Sequence, residues 1–527
     1  MENDKKSSLR SLLPQLDWPL MIIPLVAVII LCAIFIIAPE RSTEVTDNIR
    51  NFLGNELGSF YILIGLGILV VTLYIAFSRY GKIRLGNLDK PQYSSFKWGS
   101  LIFIGVFAAD LIFYSFIEWA LYAGEPRIES LGGLQEWGPT YPLFHWGPIP
   151  WSFYVVLAVA FAFMLHVRSR TKQKFSEACR PLLGDRIDGF AGKMIDMAAI
   201  GALIAGTATT FSLATPLIAA SISRVFGVPM HAGLTVGILV TIAVIYTVTV
   251  FFGMKGITKA ALVCVSMFFI MLAYVLFFGG EARYIIETGI TSMGNLAQNF
   301  IGLATWMDPL RESGDGVTGF VQDWTIFYWA YWMAWCVATP FFIGMISKGR
   351  TIKNVVLGTY AYGLGGTYLS KIILGNYGLS QQIAGNIDVI GMVADGREIE
   401  QGIIAIFETL TLTEGALTLL FVMLIAFYAT TFDSLTLVVS MYSYKHLKPD
   451  AESSNYVRAF WAVVFIIFPI GLIFAENSII SLQSVSIIAA FPIGIVFILI
   501  ILSFFKDAGM YLDGQAEVCN KPEPLGN

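Results

Sequence analysis

Runs of about twenty apolar residues recur along this chain, and they decide what it can fold into. Each run is long enough for one helix across a bilayer, and no stretch alternates with the period of two that a β-barrel strand requires. Because backbone amides in hydrocarbon have to bond within their own segment, helices are the remaining solution. We predict an all-α membrane protein with twelve transmembrane helices, near 19–38, 60–78, 98–122, 148–167, 193–215, 233–252, 259–279, 321–346, 354–374, 403–430, 457–475 and 484–504.

The overall composition argues against several other classes of protein. Apolar residues make up 56% of the 527 residues and charged residues 13%, against about a quarter in soluble domains. A net charge of −4 without a basic stripe argues against a nucleic-acid partner. The five cysteines are scattered, so we expect no disulfide or metal framework. The tails are short and leave no room for a catalytic domain, which predicts that the chain is not an enzyme.

Lys and Arg residues are concentrated on one side of the predicted bundle. They crowd the connections at 79–97, 168–186 and 348–353, whereas those at 39–59 and 376–402 are mostly acidic. By the positive-inside rule, the basic connections and both termini face the cytoplasm of a multi-pass cell-membrane protein. The first apolar run is long enough to be a span, and no small-residue cleavage pattern of a signal peptide follows it.

A tryptophan-rich stretch, WTIFYWAYWMAW at 324–335, opens the eighth predicted span. On a helix, aromatic residues at steps of three and four share one face, and here these are Tyr328, Tyr331, Trp332 and Trp335. Taken alone, this face fits packing or an interfacial aromatic belt as well as it fits a binding surface.

The entry to the fourth predicted span carries a second aromatic cluster, with Trp146, Trp151 and Tyr154 around two prolines. Rings from two helices can enclose a cation, because the negative face of an indole attracts an ammonium group by about 0.5–2 kcal/mol when water is excluded. A quaternary ammonium suits such an enclosure, since it has no N–H group to satisfy. The two clusters together favour a site for a cation of this kind.

Three motifs resemble those of the betaine/carnitine/choline transporters: LFHWGPIPW (143–151), the stretch 324–335 and MISKGRTIK (345–353). The resemblance covers nearly the whole chain. It implies a leucine-transporter-type fold with two extra N-terminal helices and two inverted five-helix repeats, and a homotrimer in the lipid bilayer. The substrate site that it implies is lined by Trp146, Trp151, Tyr154, Trp332 and Trp335, and Tyr331 joins them on the shared helix face.

The predicted repeats divide the chain into six segments. The stretch 291–305 is too short to span a bilayer and is predicted to be a surface helix between the repeats. The segments are a cytoplasmic tail (1–17), two N-terminal helices (18–96), the first repeat (97–290), the connecting helix (291–320), the second repeat (321–505) and a cytoplasmic tail (506–527).

Asp110 is the main departure from the family pattern. The glycine-rich stretch that usually precedes Glu118 is replaced here by Val106-Phe-Ala-Ala-Asp110. An ionisable group within a span is costly unless it faces a cavity, a partner or a proton, and the alternative is that Asp110 is protonated or bonded and only packs. Choline is a bare cation whose burial needs an anion, and choline carriers of the family resemble this sequence at Asp110. We therefore predict uptake of choline, with Asp110 as its counter-ion.

Two rival functions stay open at this point. In the first, the substrate is a zwitterion such as glycine betaine or carnitine, which is taken up or exchanged, and Asp110 serves only a proton. In the second, the protein is a sensor or an enzyme acting on lipid headgroups. The sequence offers no metal-ligand cluster and no nucleophile elbow for such an enzyme.

The coupling ion is a separate question. By resemblance, Thr430 and Thr431 match the two hydroxyl residues of one sodium site, which lies beside backbone carbonyls of the third span. Thr207 matches one residue of a second site, but Leu203 replaces the other and removes an oxygen ligand that a hard cation needs. Asp110 could also carry a proton. Sodium coupling, proton coupling and uniport remain open, and no other cofactor is expected.

Overall fold

The computed structural model describes residues 13–106, 109–170, 172–250, 254–314, 318–394, 399–445, 453–474 and 479–519, and helices are the regular secondary structure in them. The helices of eight residues or more are α1 (Trp18–Ile37), α2 (Pro39–Asn51), α3 (Gly58–Phe77), α4 (Ser95–Val106), α5 (Ala109–Leu121), α6 (Leu134–His145), α7 (Pro148–His166), α8 (Phe190–Phe226), α9 (Ala232–Val250), α10 (Met254–Phe278), α11 (Ala282–Thr305), α12 (Ile326–Trp335), α13 (Thr339–Ile346), α14 (Ile352–Ser370), α15 (Asn376–Ile383), α16 (Ile399–Glu408), α17 (Thr413–Tyr442), α18 (Asn455–Phe474) and α19 (Ile479–Cys519).

The all-helical membrane architecture is confirmed. Within the described residues, seven helical segments are long and apolar enough to cross a bilayer, and two bent pairs raise the number to nine. The count of twelve spans and the inverted repeats stay predictions.

The predicted tenth span was placed about ten residues too early. The structure ends α16 at Glu408 and begins the long helix α17 at Thr413, so 403–430 is not one helix. The hydroxyls of Thr409 and Thr413 donate to the carbonyls of Ile406 and Leu410. Such local bonds compete with the helical ladder, and they explain why an apolar run is interrupted there.

One other predicted span is interrupted near the middle of the bundle. The third span is described as α4 and α5, and residues 107–108 between them lie outside the described residues. The eighth span consists of α12 and α13, whose axes differ by 55°. This interruption leaves helix ends within the bundle, where backbone groups become available to a site.

Helix α11 lies across the end of α10, at 111° to it. It takes the place of the connecting helix, but it begins at Ala282 rather than near 291. The fifth and twelfth spans were also predicted too short, since α8 has 37 residues and α19 has 41. Apolar length alone underestimates helices that continue with a polar face beyond the hydrocarbon.

The basic connections lie on one side of the bundle, here called the basic side. The backbone N–H of Leu85 donates to the carbonyl of Arg350 at 2.8 Å, which joins two of these connections. Asp507, near the end of α19, pairs with Arg168 at 2.8 Å and Arg170 at 2.9 Å in a third. Asp17 lies 4.0 Å from Lys193. Both described ends of the chain therefore lie on the basic side.

Candidate functional site

Four predicted site residues form one aromatic cluster, which we call the cage: Trp146, Trp151, Tyr154 and Trp332. Trp332 lies between the other three. Its ring centroid is 5.5 Å from that of Trp146, 5.4 Å from Trp151 and 5.1 Å from Tyr154. All four side chains are buried. The two aromatic clusters seen in the sequence therefore meet inside the bundle, between α7 and α12.

The break between α6 and α7 positions the first part of the cage. Trp146 ends α6, and a Cβ on Gly147 would lie 2.5 Å from the carbonyl oxygen of Leu143, so only glycine fits this turn. Pro148 then starts α7 in its first turn, where a proline costs no hydrogen bond. Trp151 and Tyr154 are three residues apart on α7 and therefore lie on one face of this helix.

Trp335 and Tyr331 were predicted to line the site but lie differently from the cage rings. A Cβ on Gly206 of α8 would be 3.2 Å from the Trp335 indole, so this ring faces α8. The Tyr331 hydroxyl donates to Asp110 Oδ2 at 2.6 Å and is 2.5 Å from the Thr210 hydroxyl. Tyr331 thus holds the carboxylate.

Asp110 lies on α5, the helix that also carries Glu118. Its side chain is buried. Within the described part of the chain, Oδ1 has no hydrogen bond of standard geometry. The carboxylate therefore keeps an acceptor for a further partner.

Unused hydrogen-bond donors accompany this acceptor. The buried indole N–H groups of Trp146, Trp332 and Trp335 donate to no acceptor among the described residues. Buried polar groups are normally paired with protein or with water. The surroundings of the cage can therefore satisfy a small polar ligand that both accepts and donates hydrogen bonds.

A buried ion pair next to the cage was missed in the sequence. Lys371 donates to Glu118 Oε2 at 2.5 Å, and both side chains are 1% exposed. The Lys371 ammonium also lies 4.2 Å from the ring centroid of Trp146 and 5.7 Å from that of Tyr114. An ammonium group of the protein itself therefore already contacts one ring of the cage.

One signal in the sequence could have found this pair. Lys371 falls inside the predicted ninth span, 354–374, and an ionisable residue in a span is a functional hypothesis by default. In the structure it begins the widened helical turn Lys371–Gly375, and turns of this kind often occur at functional sites. Its partner, Glu118, lies on α5, two turns after Asp110.

Two of the residues matched to sodium sites have side-chain hydrogen bonds to their own helices. The Thr430 hydroxyl donates to the carbonyls of Ala426 and Phe427 in its own helix, and Thr207 donates to Ile204. Thr431 is partly buried on α17. Sodium coupling stays a prediction.

Gly363→Ala is expected to displace Trp151 and weaken substrate binding by about tenfold. A Cβ at Gly363 would lie 2.4 Å from the Trp151 ring, so the indole has to move. Gly365→Ala is the matched control, since a Cβ there meets nothing within 4 Å. Ligand quenching of tryptophan fluorescence in detergent measures both variants. Unchanged affinity in Gly363→Ala, with a normal melting temperature, would remove Trp151 from the site.

Comparisons with known proteins agree over almost the whole chain. A family described as "BCCT, betaine/carnitine/choline family transporter" matches residues 19–511. A probable glycine betaine transporter of Desulfitobacterium hafniense is 30% identical over 476 residues, which cover 89% of this chain and 92% of that protein. A carnitine transporter of Acinetobacter baumannii is 27% identical over 443 residues, 82% of this chain and 78% of that protein.

Proposed function

Because the chain belongs to the betaine/carnitine/choline family, whose members are transporters and not enzymes, we propose that it takes up choline by secondary active transport. Family membership supports a quaternary ammonium substrate. The observation that carries the choice of choline is Asp110, a buried carboxylate held by Tyr331, the residue before Trp332 of the cage.

The balance of buried charge supports a cationic substrate. Lys371 compensates Glu118, which leaves the carboxylate of Asp110 as the excess charge among these three groups. A monocation in the cage makes the loaded site neutral, whereas a zwitterion leaves the negative charge in place. Because burying an uncompensated charge costs several kcal/mol or more, the neutral combination is favoured.

The hydroxyl group of choline also suits the unused hydrogen-bonding groups. A hydroxyl donates one hydrogen bond and accepts up to two. It can donate to Asp110 Oδ1 and accept from an indole N–H of Trp332 or Trp335. The trimethylammonium group needs only ring faces, which the cage supplies.

Uptake or exchange of a zwitterion is the second candidate. The two relatives named above are a glycine betaine and a carnitine transporter. Lys371 favours this candidate as well, since its ammonium contacts Trp146 and could pair with a substrate carboxylate. In that case Asp110 would carry a proton.

Uptake into proteoliposomes tests the proposal. Labelled choline, glycine betaine and carnitine are compared under imposed sodium or proton gradients, with each unlabelled compound as competitor. We expect choline to be accumulated and to compete best. Preferential accumulation of a zwitterion, with no competition by choline, would contradict the proposal, and binding of choline without accumulation would favour a sensor.

We further propose that the basic side faces the cytoplasm of the cell membrane and that three copies assemble. The joined basic connections and the position of both ends support the orientation. The family resemblance supports the trimer, which cross-linking in native membranes can test.

A further inference from the structure

A chain of five buried polar side chains runs from the start of α12 to the cage. The Thr325 hydroxyl is 3.0 Å from His145 Nε2, and His145 Nδ1 is 2.7 Å from the Tyr122 hydroxyl. Tyr122 donates to Glu118 Oε1 at 2.5 Å, and Lys371 binds the other carboxylate oxygen at 2.5 Å. All five side chains are buried, so the chain continues through the interior without a gap.

The hydrogen bonds from Thr325 to Glu118 can all point the same way. The Tyr122 hydroxyl has one proton and donates it to Glu118, so its oxygen accepts from His145 Nδ1–H. Neutral His145 then has a bare Nε2, which accepts from the Thr325 hydroxyl. Each donor is directed toward Glu118, which is the order that a proton relay requires.

The far end of the chain lies toward the side opposite the basic connections. Thr325 follows Trp324. The indole N–H of Trp324 donates at 2.9 Å to Glu125, which lies in the connection after α5. Asp323, two residues before Thr325, is 29% exposed. The near end is the Lys371 ammonium on the ring of Trp146. The chain thus connects the region near that surface with the cage.

We propose that Thr325, His145 and Tyr122 form a proton relay that loads and unloads Glu118, the ion partner of Lys371, during transport. In loading, a proton from outside water replaces the Thr325 hydroxyl proton, which passes to His145 Nε2. The Nδ1 proton passes to Tyr122, and the Tyr122 proton passes to Glu118 Oε1. Glu118 becomes a neutral acid, and His145 ends as its other neutral tautomer. Unloading runs in reverse.

The proton on Glu118 changes the charge beside the cage. With Asp110 and Glu118 ionised and Lys371 protonated, these groups sum to one negative charge, which one added positive charge neutralises. Lys371 stabilises ionised Glu118 in this structure. The Lys371 ammonium therefore moves when Glu118 takes up a proton. The other ionisable side chains facing the pair are Tyr114 on α5, Tyr328 on α12 and His145 itself.

This charge count predicts that outside acid has opposite effects on the uptake of the two substrate classes. Choline and a proton each neutralise the site, so they compete, and choline enters as a proton leaves. A zwitterion brings no net charge and enters together with a proton. Outside acid should therefore slow choline uptake and accelerate glycine betaine uptake. The inference rests on the transport function and not on choline being the substrate.

The test compares Tyr122→Phe with Tyr141→Phe in proteoliposomes. Tyr141 is the matched control, since its buried ring lies 6.1 Å from that of Tyr122 but its hydroxyl bonds Arg127. Uptake of labelled choline and glycine betaine is measured at outside pH of about 6 and about 8. We expect the uptake rate to differ severalfold between the two pH values in wild type and Tyr141→Phe, and not to differ in Tyr122→Phe. Tyr122→Phe should still exchange internal for external substrate.

A second variant guards against misfolding of the first. Thr325→Val removes the hydroxyl at the far end of the chain and leaves the cage, Glu118 and Lys371 unchanged. It should exchange substrate without a response to pH. A wild-type pH response in Tyr122→Phe, or no response in wild type, would overturn the relay. If wild type carries only glycine betaine, the proposal of choline fails, and the loss or retention of the acid stimulation in Tyr122→Phe still decides about the relay.

Discussion

Asp110→Asn is expected to lower the rate of choline uptake by about a hundredfold or more, because the buried cation loses its counter-ion. Removing one partner of a buried charge pair typically costs about 3–5 kcal/mol, and each 1.4 kcal/mol corresponds to about tenfold. Glycine betaine brings its own carboxylate, so its uptake should fall far less. Initial rates of both compounds in proteoliposomes give the comparison.

Two controls separate the charge of Asp110 from general damage. Tyr331→Phe removes the hydroxyl that holds Asp110 but keeps the carboxylate, and a loss of a few fold is expected. Asp196→Asn removes another buried carboxylate, which bonds Ser176 at the basic side, and should leave the ratio of choline to betaine uptake unchanged. An equal loss of both substrates in Asp110→Asn would contradict the counter-ion role.

Trp332→Ala is expected to raise the dissociation constant of choline by about a hundredfold, since Trp332 contacts every other ring of the cage. A desolvated cation–π contact contributes about 2 kcal/mol, and the neighbouring rings lose packing as well. Equilibrium binding of labelled choline to purified protein measures the change. Trp332→Phe should restore part of the affinity.

Trp329→Ala is the matched control for this variant. Trp329 lies one turn earlier on α12, is fully buried, and packs against Phe144 and Gly65 rather than the cage. Its removal should lower the melting temperature and leave the affinity of the folded protein nearly unchanged. Equal losses of affinity in Trp329→Ala and Trp332→Ala would mean that Trp332 acts only through packing.

Much of this fold could be predicted, because apolar length reports membrane helices directly. The same reasoning failed where local polar groups determine a helix boundary. The hydroxyls of Thr409 and Thr413 interrupt an apolar run in this way. It also treated the eighth span as continuous, since the bend between α12 and α13 follows from packing that no single segment reveals.

The aromatic part of the site was predictable for a different reason. Ring spacing along one helix identifies a face, and the resemblance linked the two clusters that contain Trp146 and Trp332. Spacing could not show that Trp335 faces α8 or that Tyr331 holds the carboxylate, since both depend on neighbouring helices. Lys371 was visible as a charge in a span, but its partner is more than 250 positions away in the chain.

The most direct test of the account is an experimental structure of the protein with choline bound. The account predicts the trimethylammonium group within about 6 Å of the Trp332 ring centroid and the choline hydroxyl hydrogen-bonded to Asp110. Choline bound at another place, or an Asp110 carboxylate directed away from the ligand, would contradict it.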